Sequence, residues 1–141
     1  MSVADDLDRV TALCKTAAKR TLAERLELGP KPEDPGLALL WEQESTRLRG
    51  QMDSLSALVS KLTAAAIIEG LKDFEGELQE IGRVTERAEE RIAQIEEVSE
   101  LLSKVSKVLD LGTALLAAAA APSPATIRAL VEAGKAVKEG V

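Results

Sequence analysis

The sequence predicts an all-α fold: an elongated helical bundle built on one long amphipathic helix or a helical hairpin, with shorter N- and C-terminal helices packed against it. Three observations predict it. Apolar residues recur at steps of four and three from Leu48 to Leu116, which lines one stripe along a helix that must press on other helices. No proline interrupts residues 36–121. The chain is 45% apolar, almost all of it Ala, Leu, Val and Ile, yet no alternating β-branched and aromatic run marks a strand. At 141 residues the chain fits one domain with a real core.

The first helix is expected over residues 1–28. Ser2 is placed to cap it, and Asp5 and Asp6 occupy the first turn, where the helix dipole favours acids. Val3, Leu7, Val10, Cys14 and Ala17 form one stripe, widened by Leu13. Leu22 and Leu26 continue the apolar surface with a phase shift. Gly29 is a natural C-cap.

Residues 29–36, GPKPEDPG, carry three prolines and cannot extend a helix. They read as a connector between two bundle helices.

The long helical region spans 37–121. Leu48, Met52, Leu55, Val59, Leu62 and Ala66 keep the 4-3 rhythm. Ile67, Leu71, Phe74, Leu78, Ile81, Thr85, Ala88, Ile92, Ile95, Ser99 and Leu102 keep it again, one residue out of phase. A second slip falls near Val98, after which Val98, Leu102, Val105, Leu109, Gly112 and Leu116 carry the pattern. Slips of this kind rotate the stripe around the helix. As one helix, residues 37–111 would reach roughly 110 Å at the usual rise per residue. A turn at 69–76 would give two shorter helices, and Gly70, Gly76 and Gly82 each weaken a helix interior by about 1 kcal/mol. Both forms are compatible with the pattern.

The last helix is expected over 123–139, with Ser123 as N-cap and Pro124 in the first turn. Ile127, Leu130, Val131, Ala133 and Val137 supply its apolar face.

The heptad flanks argue for a bundle face. With Ile67, Phe74, Ile81 and Ile95 at d, Val84 and Val98 widen the stripe at g, while Glu75, Glu89 and Glu96 at e and Glu77 at g are acidic. Two parallel copies would set Glu against Glu. A basic partner helix would satisfy these acids. An antiparallel first helix, carrying Lys15, Lys19, Arg20 and Arg25, would pair the two signs.

Composition narrows function by exclusion. The chain has no His, one Cys and two aromatic residues, Trp41 and Phe74. Zinc sites and Cys or Ser nucleophiles need His or Cys in sets, and no phosphate-cradling glycine motif occurs. We therefore expect no enzyme, cofactor, metal or small-molecule substrate. The net charge is −6, and residues 37–111 account for it, with nine basic against fifteen acidic residues. That acidic helix is the wrong sign for nucleic acid.

One Cys suits a reducing compartment, and the acidic N-terminus lacks a signal-peptide pattern; a cytoplasmic location is expected. The expected function is non-enzymatic: a helical protein–protein interaction protein, such as an adaptor, chaperone-like accessory factor or structural assembly subunit, that binds another protein or itself. The candidate partner-binding residues are Trp41, Glu75, Glu77, Glu89 and Glu96. Each has a plain structural alternative, Trp41 as core under the proline loop and the glutamates as a solvated face. The competing function is a membrane-active helical protein that uses the Ala-rich segment 111–137.

Overall fold

The computed structural model describes residues 3–62 and 64–139, and they fold as all-α. Six helices follow in order: α1 (Val3–Glu27), α2 (Pro35–Leu62), α3 (Ala65–Leu71), α4 (Glu75–Gln94), α5 (Val98–Ala120) and α6 (Pro124–Glu139), with a 3-10 turn at Lys72–Phe74 between α3 and α4. The Ser2 cap lies outside the described residues.

α1 buries the stripe expected of it, Val3, Leu7, Val10, Leu13, Cys14 and Ala17. Its last turns depart from expectation. Leu22 and Leu26 face solvent, and Thr21 and Glu24 are buried instead. Thr21 Oγ1 bonds back to the Ala17 carbonyl at 2.7 Å, and Glu24 is held by Arg20 at 2.8 Å. Those partners let two polar residues take inward positions.

Gly29 ends α1 with φ of +66°, a left-handed conformation that glycine adopts without a Cβ penalty. α2 then starts two residues earlier than expected. Asp34 Oδ2 accepts the Leu37 N–H at 3.0 Å, and Pro35 takes the first helical position, where its missing N–H costs nothing.

The region 37–121 is not one helix. Helix α2 ends at Leu62 and α3 starts at Ala65, the chain breaks again at 95–97, and it tightens into the 3-10 turn inside the 69–76 window. The two breaks fall beside the two register slips. A straight helix crossing a slip would turn its stripe away from its neighbours, so the chain stops and restarts in the new phase. Ile95 and Glu97 do this in extended backbone, with ψ of 127° and 131°, without help from Pro or Gly.

Helix pairing follows from specific contacts. Arg9 meets Glu86 at 3.1 Å, Thr16 Oγ1 donates to Glu89 at 2.9 Å, and Arg20 reaches the Ile95 carbonyl. Both sequences advance together, so α1 and α4 run parallel, the reverse of the antiparallel pairing expected. The signs still meet, because Arg9 and Arg20 lie at the levels of Glu86 and the end of α4. α2 and α5 are also parallel: Gln51 Nε2 donates to the Leu102 carbonyl at 2.8 Å, and Gly112 lies against Leu58. α5 and α6 form the C-terminal hairpin, opened by Ser123, whose Oγ accepts the Thr126 N–H at 3.2 Å while its own N–H donates to Thr126 Oγ1 at 2.9 Å.

One apolar cluster joins all six helices, with Leu7, Leu55, Leu71, Leu78, Leu111 and Leu130 among its members. Gly70, expected to weaken its helix, and Gly112, expected on the stripe, allow close packing here. A Cβ on Gly70 would strike the Ala119 carbonyl, and one on Gly112 would lie 2.5 Å from Leu58 Cδ1.

α5 buries Leu101, Lys104, Val105, Val108, Leu111, Gly112, Leu115 and Ala118. The expected line through Leu102, Leu109 and Leu116 is therefore its half-buried edge. The Ala-rich segment packs against α2, α3 and α6. Among the described residues no single helix is long and apolar enough to cross a membrane. One pair bent by 78°, Pro35–Leu62 with Ala66–Gln94, has the length and composition.

Candidate interaction surface

Apolar side chains left in water concentrate where α1 ends and α2 begins. Leu22 and Leu26 on α1 and Leu37, Leu39 and Leu40 on α2 are between 42% and 72% exposed. The connector 28–34 holds these two helix ends together. Trp41 Nε1 donates to the Gly29 carbonyl at 3.2 Å, and Lys31 pairs with Glu42 across the loop. Trp41 is half-buried, so its indole fastens α2 to the end of α1 and keeps part of its surface open. A clustered apolar exposure of this kind marks an interaction site more often than isolated leucines do.

A groove of about 1010 Å³ runs on from Leu40 between α2 and α5. Its α2 wall includes Glu44, Arg47, Gly50 and Gln51, and its α5 wall includes Leu102, Ser106 and Leu109. The stripe edge that the sequence marks as apolar on α5 is thus the half-covered floor of an open channel. Small side chains on both walls leave its width.

The predicted acidic residues do not form one site with Trp41. Glu75 and Glu77 are exposed in the first turn of α4, which suits their charge. Glu89 is half-buried and accepts from Thr16 of α1. Glu96 is exposed in the break between α4 and α5. α4 packs on α1 and α6, whereas α2 packs on α1 and α5, so Glu75, Glu77 and Glu89 lie apart from Trp41, while Glu96 lies beside Arg20, Glu24 and Glu27 at the end of α1. Local pairs hold other charges of this region: Lys72 with Glu69 at 2.6 Å and Arg83 with Glu80 at 3.3 Å. The five exposed leucines were missed as a site because a leucine at helical spacing reads as core. Only the phase shift at Leu22 signalled that α1 changes face there.

Two buried charges sit apart from this surface. Lys104 is inside the bundle, and its Nζ donates to the Val137 carbonyl in the last turn of α6, where helix carbonyls lack intrahelical partners. Burial, then Lys107 and Arg91, lowers its pKa to about 8. Asp6 is buried beside Gly82, with Arg9 at 3.9 Å and, among the described residues, no hydrogen bond to either carboxylate oxygen. Burial raises its pKa. Burial also pushes the Cys14 thiol up to about 12, which removes the thiolate needed for nucleophilic work. Among the described residues no three His, Cys, Asp or Glu side chains converge to hold a metal ion.

No protein-family model, curated protein or solved structure matches this chain.

Proposed function

We propose that this chain is a non-enzymatic protein–protein interaction protein, an adaptor, accessory factor or assembly subunit of the cytoplasm, that docks its partner at the α1–α2 end and along the open face of α2. One observation carries the reading: five leucines stand in solvent at one end of a helix pair whose remaining apolar stripes are covered. Burying a leucine is worth about 1.5–3 kcal/mol relative to exposure, so such a cluster is an incentive to bind. The half-buried Trp41 adds an anchor of the type that dominates interface energetics. The loop between the two helices is fastened, so the surface is preorganised and docking costs little ordering entropy.

A membrane-active role through 111–137 would require α5 and α6 to surrender the contacts of Leu111, Leu115, Ala118, Leu130 and Val137 with the core. The acidic residues Glu75, Glu77, Glu89 and Glu96 remain secondary docking candidates, and all but Glu89 are exposed.

Photo-crosslinking in the producing cells tests the reading. A photoreactive residue at Leu37 or Leu40 is expected to trap one defined protein, whereas the same residue at the exposed Arg128 of α6 traps none. Absence of adducts at both leucine positions would overturn it.

A further inference from the structure

We propose that the partner on the open face of α2 is a second copy of this chain, docked antiparallel about a two-fold axis that passes between Ser45 and Thr46. This rests on the interaction reading above and specifies its occupant.

The groove-side face of α2 reads Leu37, Leu40, Glu44, Arg47, Gln51 and Ser54, steps of three and four that keep one stripe on a helix; Glu44 and Gln51 are half-buried and the other four exposed. The stripe is open because α5 stands back from it across the groove. Its charge order is self-complementary. An antiparallel copy centred between residues 45 and 46 sets Glu44 opposite the partner's Arg47 and Arg47 opposite the partner's Glu44. A two-fold interface requires this reciprocity. Among the described residues neither Glu44 nor Arg47 joins an ion pair within the chain, so both charges are available.

The same register covers the apolar groups. Leu40 of the second copy arrives at the level of Gln51. Gln51 is bonded to the Leu102 carbonyl, so the incoming leucine meets Leu102 on the groove floor. Leu37 of the second copy arrives at the level of Ser54 and faces the Ser106 side of α5, where the small hydroxymethyl group leaves room. Gly50 has nothing within 4 Å of the position a Cβ would take, which lets the two α2 helices approach closely. The seam from Leu37 to Ser54 extends roughly 25 Å along the helix.

Charge reversal decides the matter. Sedimentation equilibrium of the purified full chain is expected to give twice the 15.0 kDa chain mass. Glu44→Arg alone and Arg47→Glu alone each place like charges opposite one another twice and weaken the dimer by roughly tenfold or more. The double variant E44R/R47E restores it. Mixing the two single variants yields a heterodimer, because each then carries one sign. Circular dichroism of the variants checks that helix content is retained.

A chain that stays monomeric across the concentration range overturns the proposal. So does a dimer indifferent to both reversals, or one that the double variant fails to restore. Adducts at Leu37 or Leu40 to a different protein, with the purified chain monomeric, would leave the interaction reading standing and sink this one alone.

Discussion

The first half of α2 and the body of α5 are both leucine-bearing helices, and they treat those leucines oppositely. Leu101, Leu111 and Leu115 of α5 are fully buried, while Leu37, Leu39 and Leu40 of α2 are more than half exposed. The difference is in neighbours. α5 is packed by α1, α2, α3 and α6, so the face that carries Leu101, Leu111 and Leu115 is covered, and only its groove side stays open. The first turns of α2 are held by the end of α1 and the connector, and their other faces meet water. Hydrophobic content therefore says which residues gain from burial, and helix arrangement says which of them obtain it.

The largest effect expected from this contrast is in the core. Leu111→Ala should lower unfolding free energy by about 2–5 kcal/mol, through lost transfer energy and a residual cavity. Leu37→Ser, measured in urea where the chain is monomeric, should change it by about 0.5 kcal/mol or less. Equal costs at the two positions would break the contrast.

A second expectation concerns the charge within α5. Burial lowers the Lys104 pKa to about 8 in the folded chain, against 10.5 for a free lysine side chain. Between those pH values the unfolded chain holds a proton that the folded chain has released. Stability therefore rises with pH across that window and carries the full penalty below it, on the order of 2–3 kcal/mol. Lys104→Met should flatten the rise seen in urea melts between pH 8 and 10.5. A rise unchanged in the variant would assign it to other groups.

Third, the close approach of α5 to α2 is set by Gly112. Gly112→Ala should cost about 1–3 kcal/mol, because its methyl group displaces Leu58. The smallest effect belongs to Gly76, which faces open space. Gly76→Ala should raise stability by about 0.5 kcal/mol through helix propensity alone. Thermal melts of the pair give opposite signs if packing at Gly112 is as close as described.

Much of the helical framework was legible from local chemistry. The turn at Gly29, the start at Ser123-Pro124 and the stripes of α1 and α4 obey rules that act over a few residues. The earlier start of α2 at Asp34-Pro35 uses those rules too, but the density of prolines before it masked the signal. The two slips were legible as places where the stripe changes partners. They were not legible as breaks, because no residue there forbids a helix; only the packing of α3 and α5 makes stopping cheaper than continuing. The site was less legible still. Trp41 does lie at the exposed leucine surface and Glu96 beside the end of α1, but Glu75, Glu77 and Glu89 lie on α4 away from it, since charge pattern carries no information about which helices meet.

Taken alone, the sequence determined that the described chain is helical, where the first and last helices meet the proline-marked connections, and which face of α1 and α4 turns inward. Helix caps, proline geometry and apolar periodicity are local, and they act before any tertiary contact forms. Tertiary structure decided that α1 runs parallel to α4, that Leu22 and Leu26 stay in water while Glu24 is buried, and that α5 stands away from the first half of α2. Those outcomes depend on which stripes meet and on side-chain volumes at the crossings, such as Gly70 on Ala119 and Gly112 on Leu58. Residues far apart in the chain set them together.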